Sequence, residues 1–483
     1  MSKINWKPDK QSPKYQQIID FIKKKIANGE WPIGSKIPSQ RQLAKEFGVN
    51  RSTVITALEE LMADGLLEGK MGKGTVVINN TWTLLATTPP PDWSKHVRSG
   101  LHKPSQATVQ EINEAESNTN LIHLSKGELS TEMFPLDTMK KIMGEVSESM
   151  EAFGYEEPKG YLPLREELSH YLKTMGIQAS PSSILIVSGA LQALQLISVG
   201  LLQRESTILL ERPSYLYSLH VFQSAGMKLT GLSIDKKGLL PQAISKAKSQ
   251  RGKAILYTNP CFHNPTGILM PENRRQEVLE VCRKEQLPLI EDDIYRELWI
   301  DNPPPLPLKA MDKNGHVLYV GSLSKTLSPG LRIGWIVGPD PVIERLSDIK
   351  MQTDYGSSSL SQRVAAEWLK SGHYQEHLEN VREQLKIRRD LVIETLEKNL
   401  KDLAIWEEPE GVFFIWLKIK PILSMKSLYL KALSQGILLN PGDIYAQESD
   451  RYIRLSYAYA SLTDLKNGIY QLSQIIKGLV KTN

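Results

Sequence analysis

Cysteine and long uncharged apolar stretches are both scarce in this sequence of 483 residues. Its two cysteines, Cys261 and Cys282, cannot form a disulfide scaffold and lack the CxxC spacing of a zinc site, which indicates a reducing, cytoplasmic compartment. The polar, lysine-dotted N-terminus lacks the apolar core of a signal peptide. The one uncharged stretch long enough for a membrane span, residues 184–202, contains Ser188-Gly189 and two glutamines, which favours a buried strand turning into a helix.

Net charge is absent from most of the chain. Residues 1–78 contain 13 Lys and Arg against 8 Asp and Glu, a surplus of five. The complete chain contains 59 against 54, so the other residues balance at 46 against 46. A small basic module on a neutral body indicates a polyanionic partner for that module alone.

The basic module has the pattern of three helices followed by a hairpin. Apolar residues at helical spacing predict a first helix over 15–28, and Ser39 can cap a second helix that ends before Gly48. Asn50 can cap a third helix that ends at Gly65. Two β-rich runs near 66–67 and 75–78 flank a basic, glycine-rich tip, which predicts a hairpin. This order is typical of a winged helix-turn-helix.

Basic and hydroxyl side chains are concentrated where such a motif contacts DNA. The first turn of the third helix combines helix amides and dipole, which favour phosphate, with an arginine that can contact guanine in the major groove. Basic residues on the second helix and on the hairpin would hold backbone phosphates. The predicted DNA-binding residues are Arg41, Asn50, Arg51, Ser52, Thr53, Lys70 and Lys73. From charge alone, a protein-binding three-helix module is the alternative.

Residues 13–78 closely resemble the winged helix-turn-helix of GntR-type bacterial regulators. The resemblance rests on the text "IPSQRQLAKEFGVNRSTVITALEELMADGLL" and on the wing "GKGTVV". Gln40 replaces the glutamate usual in that family, and Ile55 replaces a basic residue that many members carry. The base specificity therefore stays open.

The rest of the chain has two further parts. Residues 79–120 show little periodicity and contain Pro89-Pro90-Pro91, which predicts an irregular linker. From residue 121 onwards, apolar runs alternate with amphipathic helices, the pattern of a mainly parallel α/β sheet. We predict domains at 1–78 and 121–483, the latter with a large domain over about 160–370 and a small α+β lobe. That lobe would comprise about 371–483 and the segment near 121–155.

Polar residues at the ends of these apolar runs suggest one chemistry. Lys325, in "SLSKTLSPGLR", suits a cofactor aldehyde, while Ser322, Ser324 and Arg332 would hold an attached phosphate. Asp292 ends another run, where a buried carboxylate could pair with a pyridinium nitrogen. A further phosphate cradle is offered by backbone amides at a strand-to-helix junction, Ser188, Gly189 and Ala190. Each motif alone is common without any ligand.

Together these motifs resemble fold-type-I pyridoxal-phosphate aminotransferases over about residues 121–475. The resemblance implies that Lys325 binds pyridoxal phosphate and shuttles protons, and that Asp292 pairs with the pyridine nitrogen. Further implied contacts are Asn264 and Tyr295 with the phenolic oxygen, Tyr215 with the ring, Arg454 with a substrate α-carboxylate, and Tyr155 with the phosphate of a homodimer partner. His263 has no implied role, and we interpret it as a packed or surface residue.

The combination looks like the MocR/GabR subfamily of transcription regulators. It implies an amino acid or amine effector that forms an external aldimine in the body, whose small lobe then closes and repositions the DNA-binding module. One alternative is an active aminotransferase (class EC 2.6.1) carrying a DNA-binding module, since every matched catalytic position is filled. A second is a cofactor-free dimerisation scaffold. The effector, the operator and the sign of regulation stay open, and we expect effector specificity from loops near 127–135 and 352–360.

Overall fold

The computed structural model describes residues 12–70, 74–79, 99–100, 105–151, 154–249 and 252–482. The chain divides into an N-terminal unit, Met1–Gly100, and a body, Leu101–Asn483. No helix in these described ranges combines the length and the apolar character that crossing a membrane requires. The uncharged stretch at 184–202 forms a strand and a helix, as expected.

The N-terminal unit has the predicted order of helices and hairpin. Its helices are Lys14–Ala27, Gln40–Phe47 and Arg51–Ala63, and its antiparallel strands are Leu67–Lys70 and Gly74–Val77. Ser39 caps the second helix, since its Oγ accepts a hydrogen bond from the Gln42 amide at 3.3 Å. Gly48 ends that helix with φ of +63°, a conformation that favours glycine.

The prediction for Asn50 was only half right. Asn50 lies at the N-cap position of the third helix, but its side chain makes no capping hydrogen bond. The apolar stripe of that helix packs as expected, and the three helices and the hairpin enclose one core. The buried members of this core are Ile18, Ile19, Ile22, Ile26, Ile37, Leu43, Phe47, Val54, Ala57, Leu58, Leu61, Leu66, Leu67 and Val77.

The body is built on a mixed sheet that, in the described residues, has seven strands. From one edge to the other these are Ile184–Val187, Gly334–Val337, Val317–Ser322, Leu289–Asp292, Ala254–Thr258, Thr207–Glu211 and Lys228–Leu232. Strand Gly334–Val337 is antiparallel to both neighbours, and the other pairs are parallel. The central strands are buried throughout because helices cover both faces. The predicted mainly parallel α/β sheet is therefore confirmed.

Helices surround this sheet and join it to a smaller lobe. Those before and around the sheet are Leu136–Ser149, Leu162–Thr174, Ala190–Gly200, Val221–Ser224, Pro241–Ser249, Glu272–Lys284, Leu308–Met311, Asp340–Thr353 and Ser359–Lys370. The long charged helix predicted over 373–398 spans His373–Leu400. Two more helices, Met425–Ser434 and Leu462–Thr482, complete the C-terminal part.

The smaller lobe has its own antiparallel sheet. Its strands lie in the order Ala404–Ile405, Phe414–Ile419, Tyr452–Ser456 and Asn440–Pro441. A separate pair, Ile437–Leu438 with Ile122–His123, ties the segment after residue 121 to this lobe.

The predicted irregular linker over 79–120 needs a correction at its C-terminal end. Residues Ala107–Ala115 form a helix, which we call the pocket helix. Its Ile112 is buried in the core of the smaller lobe, and Val109 packs against the same core. The sequence did not predict this helix because it contains few apolar residues and only one of its faces is covered.

Candidate functional site

The residues predicted to bind DNA lie on the surface of the N-terminal unit. Arg41, Asn50, Arg51 and Ser52 are exposed, and Thr53 is half-buried in the first turn of the third helix. This places a positive charge and two hydroxyls beside the N-terminal amides of a helix, an arrangement that attracts phosphate. Their roles stay predictions.

Arg51 is hydrogen-bonded to a neighbour on this surface. Its Nε and a terminal nitrogen donate hydrogen bonds to Oε1 of Gln40 at 3.3 and 3.0 Å. On the hairpin, the backbone of Lys70 pairs with Gly74. The side chain of Lys70 and all of Lys73 lie outside the described residues.

A second candidate site is a cavity of about 400 Å³ at the carboxyl ends of the body's parallel strands. Ligands bind at this end of open α/β sheets because the loops and helix N-termini there converge. Lys325 lies at the centre, following strand Val317–Ser322, and its Nζ donates a hydrogen bond to the Gly127 carbonyl at 2.7 Å. Asp292 ends the neighbouring strand and lines the same cavity.

Asp292 is held by buried neighbours on one side only. Its Oδ2 accepts a hydrogen bond from the Tyr257 hydroxyl at 2.6 Å, and its backbone carbonyl accepts one from Asn259. Its Oδ1 is buried without a partner among the described residues. Burial raises the pKa of Asp292 to about 6, and the bond from Tyr257 opposes that rise. Oδ1 can therefore accept a hydrogen bond from a donor outside the described residues, such as a bound ligand.

Tyr295, Asn264 and Arg454 form a hydrogen-bonded chain along the cavity. The Asn264 amide donates to the Tyr295 hydroxyl at 3.0 Å, and its oxygen accepts from Arg454 at 3.0 Å. The other terminal nitrogen of Arg454 donates to the Ser125 carbonyl at 2.9 Å, and the guanidinium carbon lies 4.1 Å from the Phe414 ring centroid. All these acceptors are neutral, so Arg454 keeps its charge available for an anion.

The small polar residues predicted as a phosphate cradle meet at one end of the cavity. Ser322, Ser324, Ala190 and Arg332 line it. A terminal nitrogen of Arg332 donates to the Ser188 carbonyl at 2.5 Å. This close approach requires glycine at the next position, since Gly189 has φ of +88° and a Cβ there would lie 2.7 Å from the guanidinium.

The backbone amide of Ser188, predicted to form part of a phosphate cradle, has a partner within the chain. The Ser188 hydroxyl lies 3.2 Å from that of Ser357, and the amide donates to the Gln192 side chain at 2.7 Å. Ser188 and Gly189 do not themselves line the cavity, which is reached at this junction by Ala190. The backbone carbonyl of Ser188 therefore orients Arg332, while the helix that begins at Ala190 presents its N-terminus.

Tyr215, predicted to contact the cofactor ring, and Tyr155, predicted to reach the phosphate of a homodimer partner, have different positions. Tyr215 lines the cavity. Tyr155 is 80% exposed and lies outside it, with its ring centroid 4.9 Å from that of Tyr355. Of the two loops expected to determine specificity, the one near Gly127 contributes to the cavity, whereas 352–360 does not reach it within this chain.

The lysine has an unusual electrostatic environment. Removal of water, together with the positive charge of Arg454, lowers the pKa of Lys325 to about 8, while Glu128 and Glu116 act in the opposite direction. A larger share of the amine is therefore uncharged, and nucleophilic, near neutral pH than for a lysine in water.

Two expectations about residues outside the site are confirmed. His263 is buried and its Nδ1 lies 2.8 Å from the Thr266 hydroxyl; burial lowers its pKa to about 3. Cys261 and Cys282 are buried free thiols, and burial raises the pKa of each to about 12.

Sequence reasoning missed residues that line the cavity and residues that support its lining. Tyr257 and Asn259 support Asp292 from the end of the adjacent strand, and the polar residues after strand Ala254–Thr258 were the available signal. Glu116, at the end of the pocket helix, and Tyr445 also line the cavity. The spacing Val109, Ile112, Asn113 and Glu116 was the helical signal for that wall.

Two known families match the chain. The family described as bacterial regulatory proteins, gntR family, matches residues 14–77. The family described as aminotransferase class I and II matches residues 119–472, most of the body.

Full-length relatives are similar along nearly the whole chain. The HTH-type transcriptional regulator YdfD of Bacillus subtilis (strain 168) is 73% identical over 470 residues, which cover 97% of this chain and 98% of that protein. The HTH-type transcriptional regulator NorG of Staphylococcus aureus (strain USA300) is 37% identical over 453 residues, covering 92% and 99%.

Several solved structures similar to this chain are aminotransferases. The multiple substrate aminotransferase of Thermococcus profundus has a TM-score of 0.73 at 28% identity, covering 79% of this chain and 97% of its own. The kynurenine aminotransferase of Pyrococcus horikoshii, solved in complex with PMP, has a TM-score of 0.73 at 31% identity, covering 78% and 95%. This fold implies a pyridoxal-phosphate cofactor, and the gntR-family match implies DNA binding.

Proposed function

Since this chain belongs to the MocR/GabR-like family of HTH-type transcriptional regulators, with a GntR-type module and an aminotransferase class I and II domain, we propose that it binds double-stranded DNA and senses an amino acid or amine. The N-terminal unit contacts the duplex, and the body holds pyridoxal phosphate on Lys325 and receives the effector beside it. Binding of the effector changes the affinity of the protein for DNA.

The DNA contacts follow from the exposed basic surface. Arg51, Ser52 and Thr53 enter the major groove, with Asn50 beside them, while Arg41 and the hairpin lysines Lys70 and Lys73 neutralise phosphates. The surplus of five positive charges in residues 1–78 supports this assignment, because the remainder of the chain has none.

The cavity residues fit pyridoxal phosphate. When bound, this cofactor supplies an aldehyde that condenses with amines and a ring that withdraws electrons. The partnerless Oδ1 of Asp292 would accept a hydrogen bond from the protonated ring nitrogen and so keep it protonated, and Tyr295 with Asn264 would donate to the phenolic oxygen. Tyr215 flanks the ring. The phosphate is held by Ser322, Ser324, Arg332 and the helix N-terminus at Ala190, next to Ser188 and Gly189.

Two side chains act on the effector itself. The Lys325 amine, with its pKa lowered to about 8, would hold the cofactor through its aldehyde, with loss of water, and would accept or return a proton at the effector's α-carbon. Arg454, bonded only to neutral oxygens, binds a carboxylate of the effector through its forked geometry.

We infer a homodimer from the position of Tyr155. Its ring is exposed and does not line this chain's own cavity. A second copy would bring its cavity to Tyr155, whose hydroxyl then reaches the phosphate there. Sedimentation of wild type and of Tyr155→Phe, with cofactor retention measured for both, tests this arrangement.

The observation that carries the proposal is the convergence of Lys325, the partnerless Asp292 oxygen and Arg454 in one cavity. The test is the visible absorbance band of the purified protein with added pyridoxal phosphate, followed while single amino acids and amines are titrated. We expect a band in wild type that one effector shifts, together with a changed affinity for an operator fragment. An effector that shifts the band but leaves DNA binding unchanged would contradict sensing.

Catalysis is the second candidate function, and the filled set of Lys325, Asp292, Tyr295, Asn264 and Arg454 favours it. An active aminotransferase would lose the visible band with an amino acid, release a 2-oxo acid, and recover the band with a different 2-oxo acid. Repeated turnover in the absence of any DNA effect would make transamination the main role.

A further inference from the structure

One wall of the cavity comes from the pocket helix. Val109, Ile112, Asn113 and Glu116 line the cavity, and their spacing of three, one and three residues places them on a single helix face. The buried Ile112 anchors this helix in the core of the smaller lobe. The wall therefore has a defined position opposite Lys325 and Arg454.

Glu116 differs from the other acids that line the cavity. Glu128 pairs with Lys126 at 3.5 Å, and Asp292 accepts from Tyr257. The carboxylate of Glu116 is half-buried and makes no hydrogen bond or ion pair with any residue in the described ranges. Burial raises the pKa of Glu116, while the positive charges of Lys126, Arg454 and Lys325 oppose that rise through space. A carboxylate that has lost water in this way gains from a cationic partner.

Neither Lys126 nor Arg454 pairs with the carboxylate of Glu116. Lys126 is already paired with Glu128 and lies 4.1 Å from the Tyr459 ring centroid. Arg454 has neutral acceptors and suits an anionic group. A ligand that carries a carboxylate at one end and a positive charge at the other would satisfy both Arg454 and Glu116.

We propose that Glu116 determines specificity by binding the cationic side chain of a basic amino acid whose carboxylate is held by Arg454. This inference rests on the proposed sensor function and names the chemical class of its effector. A diamino acid has the required charges, and the matching neutral amino acid of the same length lacks only the terminal ammonium.

The experiment compares L-lysine with L-norleucine, which differ in the terminal amine. Both are titrated into the cofactor-loaded, full-length protein, with binding read from the visible band and from calorimetry. We expect wild type to bind lysine roughly tenfold more tightly, about the value of one charge-assisted hydrogen bond. Glu116→Gln should abolish this preference and leave norleucine binding nearly unchanged.

Glu114→Gln is the matched control, because Glu114 is exposed on the same helix and does not line the cavity. It removes the same charge and should keep the preference for lysine. Glu116→Lys is a second variant, which should reverse the preference in favour of norleucine. The pair ornithine and norvaline repeats the comparison with a side chain one methylene shorter.

Several results would overturn the inference. Equal affinity of wild type for lysine and norleucine, or a lysine preference that survives in Glu116→Gln, contradicts a specificity role. An equal loss for both ligands in Glu116→Gln means that Glu116 only balances the nearby cations. If amino acids bind but none alters DNA binding, the sensor proposal fails while the selectivity of Glu116 can still hold. If no amine changes the spectrum or binds by calorimetry, both proposals fail.

Discussion

The two units of the chain use charged side chains in opposite ways. In the described residues of the N-terminal unit, all charged side chains are at least partly accessible, and the core is wholly apolar. The body has balanced charge, yet it buries Arg275, Glu291, Asp292 and Arg454. Exposed charges act over distance and are weakened by salt, whereas buried charges need a specific partner.

This difference separates two kinds of function. A surface that recognises a polyanion needs excess charge of one sign and little geometric detail beyond it. A site that binds a small molecule needs few charges, each fixed by neighbours and partly stripped of water. Net charge therefore identifies the first unit and says nothing about the second.

Removing the central cation of the body should have the largest effect. We expect Lys325→Ala to abolish the visible band with added pyridoxal phosphate, because Lys126, the other lysine that lines the cavity, is paired with Glu128. Operator binding without effector should persist, measured by fluorescence anisotropy. A band that remains in Lys325→Ala would place the covalent site elsewhere.

The next largest effect should come from a buried structural cation. Arg275 is fully buried, donates to the Met270 and Pro260 carbonyls, and lies 3.7 Å from Glu291. Arg275→Ala removes the cation that pairs with the buried Glu291, so we expect a loss of about 3–5 kcal/mol in the free energy of unfolding. Urea denaturation monitored by tryptophan fluorescence measures it.

The control for that variant lies on the same helix. Arg283 pairs with Glu280 at 2.7 Å on the exposed face. Arg283→Ala should change the stability little, because water already screens the pair. Equal losses in the two variants would show that burial does not distinguish these charges.

Removing a cation of the N-terminal unit should change binding without changing folding. We expect Arg51→Ala to weaken operator binding by about 1–3 kcal/mol if the guanidinium contacts a base. A phosphate contact would instead weaken all sequences alike and reduce the slope of log affinity against log salt by about one. An unchanged affinity for every duplex would remove Arg51 from the interface.

A change of pH should alter the rate at which Lys325 in the body reacts with pyridoxal phosphate. Because Lys325 has a pKa of about 8, lowered from 10.5, its uncharged fraction rises from about a tenth at pH 7 to about nine-tenths at pH 9. The rate at which the visible band forms after mixing with pyridoxal phosphate should therefore rise roughly tenfold across this range. Arg454→Gln should move the midpoint upward, since the arginine's charge helps to lower the pKa. A flat profile would contradict the lowered pKa.

The sequence predicted most of the architecture because apolar periodicity reports it directly. The three N-terminal helices, the strand Ile184–Val187 and the long helix from His373 all agree with the structure. The pocket helix escaped prediction, because it is short and a proline-rich segment precedes it. Its burial depends on contacts with residues of the smaller lobe that are far away in the sequence. A local sequence pattern carries no information about such contacts.

The candidate site was predictable only in part. Lys325, Asp292, Asn264 and Arg454 were found from motifs, and the structure brings them into one cavity. Glu116 was not found, because a lone glutamate in an irregular segment carries no signal of its own. What makes it notable is the absence of a partner, which is a property of the folded chain.

The smallest expected effect concerns the bond between Gln40 and Arg51, which tests whether a neutral acceptor keeps Arg51 available to DNA. Glutamate at position 40 would keep both hydrogen bonds and add a charge that holds Arg51 and repels phosphate.

We therefore expect Gln40→Glu to weaken operator binding by roughly two- to fivefold, about the value of an exposed ion pair, and less so as salt rises. Gln40→Ala removes the acceptor without adding charge and should bind more tightly than Gln40→Glu. In an Arg51→Ala background, the penalty of Gln40→Glu should shrink, because the two residues then no longer interact. A penalty that is the same with and without Arg51 would mean that the added charge acts on the DNA alone, and that the hydrogen bond to Gln40 does not tune the arginine.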